Sequence, residues 1–327
     1  MTTPISEPTH FENLVELTAQ ARQLLDSGKT AHGRRLLEQV LLVDPDFAPA
    51  RQLLIKHNLA PAWKLREWQE QDQYLYFVDD NIHEYHGPAA AQRLAEKNDA
   101  RFLTVGGILQ VDDARWQEAQ RYEKKTWMEQ NLDASDDRNE FHKQQFDNYA
   151  AIAGRAFPRI IELGCGPFTN LRLILPLINN VQHVDLLDPL IQSYLTHPHC
   201  TYRDRKLAGV PIQPIVSPIE GHTATQPYDM VVMVNVLEHC YDIPRIFANV
   251  LNWLKPSGIF VFADVATTAE ALRATKTYDA GHPIRIVDDY LLATLHHHFA
   301  PLHHNTFRDV THLQHRDICH YYIGRKL

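Results

Sequence analysis

A glycine-rich turn, with an acid about two dozen residues further on, is the most informative chemical pattern in this sequence. The turn contains Gly164 and Gly166 and follows a short apolar run that ends with Glu162 and Leu163. Glycines let a ligand approach the backbone because no Cβ lies in the way. Asp188 follows a second apolar run, where an acid can accept hydrogen bonds from both hydroxyls of a ribose. The pattern predicts a nucleoside site.

The residues of the turn distinguish between a dinucleotide and a cationic nucleoside. A dinucleotide fingerprint needs a third glycine so that a pyrophosphate can lie on the helix N-terminus. The sequence has Phe168 at that position, preceded by Pro167. Glu162 would repel a phosphate, whereas it suits a ligand that carries an ammonium or a sulfonium. These residues favour a cationic nucleoside derivative.

A strand–helix–strand unit is needed to position these residues. The apolar run before Glu162 and the run 181–187 have the length of buried strands, and the segment 171–178 between them is amphipathic. Further segments continue this alternation along the chain. They are Leu187-Asp188-Pro189, the run 227–239 that ends in Leu-Glu-His, the run 251–264, and a tail with a predicted helix near 287–299 and strands near 302–308 and 320–324.

Taken in order, these segments resemble class I S-adenosylmethionine-dependent methyltransferases, whose first motif is an apolar strand, an acidic residue and Gly-x-Gly. The resemblance covers roughly residues 141–327. It implies an α/β fold, namely a Rossmann-like doubly wound sheet that ends in a C-terminal antiparallel hairpin. It also implies S-adenosyl-L-methionine as the cofactor.

The resemblance further implies which residues contact this cofactor. Asp188 matches the ribose-binding acid. Where the family usually faces adenine with an acid and a backbone N–H, this chain has Ser-Pro-Ile-Glu at 217–220. Pro218 has no N–H to donate, so Ser217 and the Ile219 amide are expected there. The predicted cofactor-binding residues are Glu162, Gly164, Cys165, Gly166, Asp188, Pro189, Ser217, Ile219 and Asn235, with Cys165 a small filler of the turn rather than a nucleophile.

An alcohol or amine acceptor needs a base to remove its proton during methyl transfer, and histidine suits this role near neutral pH. Of twenty histidines, His239 lies at the carboxyl end of the predicted fourth strand and His282 in the loop after the fifth. Both are predicted catalytic residues, with His142 third, although each could instead have only a packing or capping role. No metal site is predicted, because adjacent histidines such as those at 296–298 point to different faces.

Composition and charge limit the classes of partner that the protein is expected to bind. The net charge is −8 and no run of Lys or Arg occurs, which disfavours nucleic acid. No window of about 18 apolar residues predicts a membrane span. Four scattered cysteines and an N-terminus without a signal-peptide pattern predict a cytoplasmic protein.

The segment before residue 141 predicts two further regions. Residues 10–60 have leucines at helical spacing broken by Gly28, and they resemble one tetratricopeptide repeat. This α-helical N-terminal domain cannot bury its apolar face alone, so it packs on the rest of the chain, on a second subunit in a homodimer or on a protein partner. Residues 61–140 are expected to form a cap over the acceptor pocket.

Local patterns within the cap and after it give more specific expectations. An aromatic-rich stretch, 63–77, is predicted as helix then loop, and 102–111 as two short strands. Asp112 or Asp113 is expected to begin a helix that extends through Trp127. A following helix over 141–156 is expected to place Phe146 or Tyr149 over the cofactor.

The predicted function is therefore methyl transfer from S-adenosylmethionine to a hydroxyl or amine of a small molecule or sugar. Two alternatives stay open. The chain could methylate a protein or peptide recruited through the N-terminal helices, or it could be a non-catalytic scaffold that keeps the fold.

Overall fold

The structure, a computed structural model, contains eight α-helices and thirteen strands within the residues that it describes, besides four short 3-10 or π-helical turns. The described residues are 10–43, 47, 49–50, 53–54, 57, 59, 73–78, 81–86, 102–104, 106–134, 137–268, 271–272, 279–307 and 318–327. The helices are α1 (His10–Asp26), α2 (Thr30–Val43), α3 (Asp113–Lys125), α4 (Asn139–Gln145), α5 (Leu171–Ile174), α6 (Ile191–Tyr194), α7 (Ile243–Trp253) and α8 (Asp288–His298). The strands are β1 (Gln73–Val78), β2 (Asn81–His86), β3 (Phe102–Thr104), β4 (Gly107–Ile108), β5 (Arg159–Leu163), β6 (His183–Leu187), β7 (Lys206–Leu207), β8 (Val210–Ile215), β9 (Tyr228–Val234), β10 (Leu254–Ala266), β11 (Arg285–Ile286), β12 (Phe299–Phe307) and β13 (Ile318–Lys326).

An eight-stranded sheet forms the centre of the fold, in the order β12-β13-β10-β9-β5-β6-β8-β7. The five strands from β10 to β8 are mutually parallel, and β13 and β12 close the sheet as an antiparallel pair. The central parallel strands β5, β6 and β9 are mostly apolar and buried, as expected for strands that are covered on both faces of a sheet. The predicted Rossmann-like sheet with its C-terminal hairpin is confirmed.

The strand order reverses at β5, and this reversal brings the predicted cofactor-binding residues together. β6 pairs on one side of β5 and β9 on the other, with Leu163 aligned to Leu187 and to Met233. Residues 164, 188 and 235 therefore follow their strands at the same edge of the sheet. This edge is the topological switch point, where open α/β sheets bind their ligands.

A second, smaller sheet has the order β11-β4-β3-β1-β2. Strands β3 and β4 confirm the two short strands predicted within 102–111. Residues 73–78 form strand β1, so the loop predicted there is wrong; the run Gln-Tyr-Leu-Tyr-Phe-Val is rich in good strand formers. Residues 61–72 lie outside the described residues. Because β11 pairs with β4, this sheet joins the region before residue 141 to the loop that carries His282.

Two helical predictions in the first 130 residues are confirmed. Asp112 begins α3, with its carboxylate accepting a hydrogen bond from the Arg115 N–H at 2.8 Å. Residues 10–43 form the helical hairpin α1–α2, which turns at Gly28 with φ +76°. Helix α2 lies against β12 of the main sheet. The tetratricopeptide resemblance of this hairpin stays a prediction.

Within the part of the chain that is described, no helix has both the length and the apolar character needed to cross a membrane.

Candidate active site

A cavity of about 760 Å³ opens at the carboxyl edge of the main sheet. The glycine turn and the loops after β6, β8 and β9 line one side, and α3 and the loop with His282 line the other. Cavities of this volume hold drug-sized ligands. It is therefore large enough for a nucleoside cofactor together with a small acceptor.

The glycine turn has a backbone that only glycine adopts readily. Gly164 has φ +62° and Gly166 has φ +51°. A Cβ on Gly164 would lie 2.4 Å from a methyl carbon of Val236. The Gly166 N–H donates to the Asp188 carboxylate at 3.2 Å. The glycine turn and the predicted ribose-binding acid are thus hydrogen-bonded to each other.

Substituting Gly164 should damage both the fold and the cavity. We expect Gly164→Ala to cost about 1–2 kcal/mol for a left-handed backbone and about 1–3 kcal/mol for the overlap with Val236. The control is Gly209→Ala, since Gly209 has φ +81° but nothing within 4 Å of its Cβ position. Chemical denaturation should show a larger loss for Gly164. Equal losses would mean that Val236 moves aside without cost.

Glu162 lies behind the turn rather than in the cavity. It is buried, and its oxygens accept hydrogen bonds from the Thr169 hydroxyl, the Asn170 N–H at 2.9 Å and the Leu171 N–H at 3.3 Å. Burial raises the pKa of its carboxyl. The structure therefore differs from the predicted cofactor contact. The first turn of α5 takes up the carboxylate, since helix N-termini attract anions, and Glu162 holds the glycine turn against that helix.

Asp188 lines the cavity, as predicted. Besides Gly166, its carboxylate accepts a hydrogen bond from the Leu190 N–H at 2.7 Å. Burial raises the pKa of Asp188 to about 7. Pro189 also lines the cavity. An acid in this position can accept hydrogen bonds from a ligand without a change in the loop.

The loop after β8 departs in part from the prediction. Ile219 lines the cavity, whereas Ser217 does not; its hydroxyl donates to the Pro218 carbonyl at 2.9 Å. Glu220, which the sequence interpretation passed over, lines the cavity and accepts hydrogen bonds from the N–H groups of Tyr241 and Asp242 at 2.8 and 3.1 Å. The sequence signal that could have identified Glu220 is that it is the acidic residue of the Ser-Pro-Ile-Glu stretch.

Cys165 and Asn235 both line the cavity. The Cys165 thiol is buried and donates to the Tyr202 hydroxyl at 3.5 Å, and burial raises its pKa well above the ordinary value. A thiol in this state is a poor nucleophile, which agrees with a filler role. Asn235 has φ +59° and begins the loop after β9.

A buried acid that the sequence did not reveal holds this loop. The Asp264 carboxylate, at the end of the core part of β10, accepts hydrogen bonds from the N–H groups of Val236 and Leu237 at 2.8 and 2.5 Å. Burial raises its pKa to about 7. Asp264 thereby fixes the backbone at the start of the loop that carries Glu238 and His239.

His239 and His282 come together in the cavity, with ring centroids 4.6 Å apart. His239 Nδ1 lies 3.1 Å from the Gly281 carbonyl and 3.4 Å from Glu123 Oε1. His282 Nδ1 lies 2.9 Å from Asp279 Oδ2, and its Nε2 lies 3.5 Å from Glu238 Oε1. Burial alone would lower the pKa of His282, but Glu238 and Asp279 raise it to about 9.

The other residues expected near the ligand take different positions. His142 lines the cavity, but it is largely buried and hydrogen-bonds the Tyr321 hydroxyl at 3.1 Å; burial lowers its pKa to about 4. Phe146 and Tyr149 are fully buried and stack on each other in the core, so the expectation that one covers the cofactor is wrong. The chain leaves α4 in a tight turn with positive φ at 147–149, which directs both rings inward.

Helix α3 contributes more to the site than expected. Trp116, Gln120 and Glu123 of α3, together with Trp127 in the turn that continues it, all line the cavity. The Trp127 indole N–H donates to Glu123 Oε2 at 3.0 Å, and the Gln120 amide donates to the His239 carbonyl at 3.2 Å. Glu123 lies at helical spacing from Trp116 and Trp127, but only the fold shows that it meets the two histidines.

Comparisons with solved structures find similar chains of low identity. One is the N-methyltransferase NodS from Bradyrhizobium japonicum WM9 in complex with S-adenosylhomocysteine, at 16% identity and a TM-score of 0.46, with 65% of this chain and 99% of that chain covered. Another is 1,6-didemethyltoxoflavin-N1-methyltransferase from Burkholderia thailandensis with bound 1,6-didemethyltoxoflavin and S-adenosylhomocysteine, at 13% identity and a TM-score of 0.45, with 66% and 91% covered. No curated protein matches the chain.

The family match is more extensive. The methyltransferase domain family matches residues 109–327, which is 219 of the 327 residues. The matched part contains the glycine turn, Asp188 and all of α3. Its cavity residues fit a nucleoside cofactor, since the turn leaves no side chain between the backbone and the ligand. The chain belongs to the methyltransferase domain family, and it is an S-adenosylmethionine-dependent methyltransferase.

Proposed function

We propose that this methyltransferase acts on a hydroxyl or amine of a small molecule or sugar. The observation that carries the proposal is the pair His239 and His282, which faces the same cavity as the glycine turn and Asp188. S-adenosylmethionine supplies an electrophilic methyl group with a good leaving group. The protein's main contribution is then to align an acceptor with that methyl group and to exclude water.

The cofactor end of the cavity is formed by the loops after β5, β6 and β8. In our proposal, Asp188 accepts the ribose hydroxyls, while Gly164 and Gly166 let the cofactor lie on the backbone. Pro189 and Ile219 pack against its rings, and Asn235 lies near its amino-acid part. Each of these residues lines the cavity.

The acceptor end is formed by α3 and the loops that carry the histidines. His239 Nδ1 can donate its proton to the Gly281 carbonyl at 3.1 Å, which leaves the lone pair on Nε2. No described residue hydrogen-bonds Nε2. His282, by contrast, has a carboxylate beside each ring nitrogen. His239 is therefore the better placed of the two to take a proton from an acceptor.

The walls of this end favour a small, partly apolar acceptor. Trp116, Trp127, Phe141 and Tyr321 line the cavity. Aromatic faces pack well against the apolar side of a ring, while the nearby carboxylates can accept hydrogen bonds from hydroxyl groups. A sugar or a polar ring compound combines both features.

An acceptor screen tests the proposal directly. The full-length protein is incubated with S-adenosylmethionine and with sugars, polar ring compounds and peptides in separate reactions, and S-adenosylhomocysteine release is measured. Release with a hydroxyl- or amine-bearing small molecule supports the proposal. Release with peptides alone would replace it with the protein-methyltransferase alternative.

Removing the N-terminal hairpin is expected to leave the cofactor site intact. Deleting residues 1–60 removes α1 and α2, of which α2 packs against β12, four strands away from β5 in the sheet. The loss of this contact should lower solubility or change the oligomeric state, while S-adenosylhomocysteine affinity stays within about twofold. Size-exclusion chromatography with light scattering and calorimetry measure both. A truncated protein identical in every respect would contradict a structural role for the hairpin, and loss of turnover on peptides alone would favour partner recruitment.

A further inference from the structure

A cluster of nitrogen and oxygen ligands lies at the acceptor end of the cavity. One ligand atom each from Glu123, His239 and His282 lies within 4.8 Å of the other two. Two imidazoles and a carboxylate form a common donor set for divalent transition metals. The residues come from α3, from the loop after β9 and from the loop before β11, so only the fold brings them together.

Surrounding groups fix the orientation of two of these side chains. The Trp127 indole holds Glu123 Oε2 at 3.0 Å, which leaves Oε1 facing His239. Asp279 holds His282 Nδ1 at 2.9 Å, which leaves Nε2 facing the cavity acid Glu238. Metal-binding histidines are usually oriented in this way, with a carboxylate on the second ring nitrogen.

The charges around the cluster also favour a cation. Three carboxylates, those of Glu123, Glu238 and Asp279, lie beside the histidines, and Arg285 is the guanidinium paired with Asp279 at 2.7 Å and near Glu238 at 3.6 Å. Arg115 donates hydrogen bonds to the Asp279 and Ala280 carbonyls of the same loop, and its charge is compensated by Glu118 at 3.5 Å. Three carboxylates against one guanidinium leave an excess of negative charge, which in the metal-free protein favours a proton on His282 and which a divalent cation bound in its place would also compensate.

We propose that Glu123, His239 and His282 bind a divalent transition-metal cation, with Zn²⁺ or Mn²⁺ as the class, and that this cation binds the acceptor through an oxygen. This inference rests on the proposed function and narrows the acceptor to a hydroxyl compound. The hydroxyl proton passes to Glu238, the nearby cavity carboxylate outside the ligand set. The oxygen forms its bond to the methyl carbon, and the C–S electron pair stays on sulfur, which releases neutral S-adenosylhomocysteine.

With the cation bound, His239 is a metal ligand, and the cation rather than His239 activates the acceptor hydroxyl. It lowers the pKa of a hydroxyl bound to it, which is how metal ions generate nucleophilic oxygens near neutral pH. The sequence interpretation missed the site because it compared histidines that are close in sequence, whereas His239 and His282 are 43 positions apart and the third ligand lies before the glycine turn.

Titration of the full-length, chelator-treated protein with Zn²⁺ tests the proposal, with Co²⁺ absorption as a second readout of nitrogen and oxygen ligation. We expect one tight site per chain. Glu123→Gln, which keeps an acceptor for Trp127, and His282→Ala should each weaken it at least about 100-fold, more than the loss typical of outer partners. The control His297→Ala/His298→Ala removes two histidines of α8 that do not line the cavity and should keep the site.

The results separate this inference from the proposed function. If the wild-type protein binds no Zn²⁺ tightly, or if both site variants bind it as the wild type does, the metal proposal is wrong. Calorimetry with S-adenosylhomocysteine is done on the same samples, because the methyltransferase assignment depends on that binding alone. A protein that binds S-adenosylhomocysteine but no cation would leave His239 acting directly as the base.

Discussion

Replacing His239 by alanine is expected to lower the turnover of this methyltransferase by about 10²–10⁴-fold, the range typical of losing a group that assists proton transfer. His239 faces the cavity beside His282, and its ring position is fixed by the Gly281 carbonyl and Glu123. Cofactor affinity should change little, because the glycine turn and Asp188 lie on different loops. The measurement is S-adenosylhomocysteine release at saturating S-adenosylmethionine.

The control for this variant is a histidine outside the cavity. His222 packs on Trp253, with ring centroids 5.3 Å apart, and does not line the cavity. His222→Ala should keep near-normal turnover. A loss of turnover in His239→Ala that His222→Ala does not show is therefore specific to the cavity. His282→Ala is expected to lose activity on a similar scale, since its ring packs on His239. Near-normal turnover in both site variants would show that the acceptor needs alignment alone.

The parts of the fold that could be predicted from sequence are those with local signals. Buried parallel strands are continuous apolar runs, and a glycine turn has a distinct residue pattern, so β5, β6 and the turn between them were predictable. The segments of this chain follow the same order as those of the methyltransferase family, and this order implied the sheet and its C-terminal hairpin. The small sheet was harder, because β11 is only two residues long and its partner β4 lies far away in sequence.

The candidate site was predictable where a residue directly follows a strand. Asp188 and Asn235 were identified in this way, since the strand fixes their direction, whereas His239 was identified from its place in the loop after β9, five positions beyond the strand. Glu162 and Ser217 do not line the cavity, because neighbouring groups compete for their side chains: the first turn of α5 donates hydrogen bonds to Glu162, and the Pro218 carbonyl accepts one from Ser217. No sequence pattern records such competition.

A further limit of the sequence motifs concerns the residue at which the cofactor domain begins. The sequence motifs begin at about residue 141, whereas the family match begins at residue 109 and includes α3. Helix α3 has no motif of its own, and its importance comes from tertiary contacts such as that between Glu123 and His239. The residues of α3 that line the cavity thus belong to the methyltransferase match, although their pattern alone is that of an ordinary amphipathic helix.

Replacing Asp188 by alanine is expected to weaken S-adenosylhomocysteine binding by about ten- to more than a hundred-fold. Losing a charged hydrogen-bond acceptor costs roughly 1.5–3 kcal/mol, and each 1.4 kcal/mol is about a factor of ten in affinity. Because Asp188 also accepts the Gly166 and Leu190 N–H groups, part of the loss would come from the loop. Asp188→Asn separates the two effects, since it keeps the shape and one oxygen but not the charge.

The pH dependence of that affinity provides the sharper test. Burial raises the pKa of Asp188 to about 7, so a large fraction of the empty sites are protonated near neutral pH. The ionised form accepts both ribose hydroxyls, and binding therefore draws the carboxyl toward ionisation. By linkage, affinity should level off above about pH 7 and fall by up to about tenfold for each pH unit below it. Calorimetry from pH 5 to 9 should show this slope for the wild-type protein but not for Asp188→Asn. If the ratio of wild-type to Asn affinity is constant across that range, Asp188 does not bind the ribose as a carboxylate.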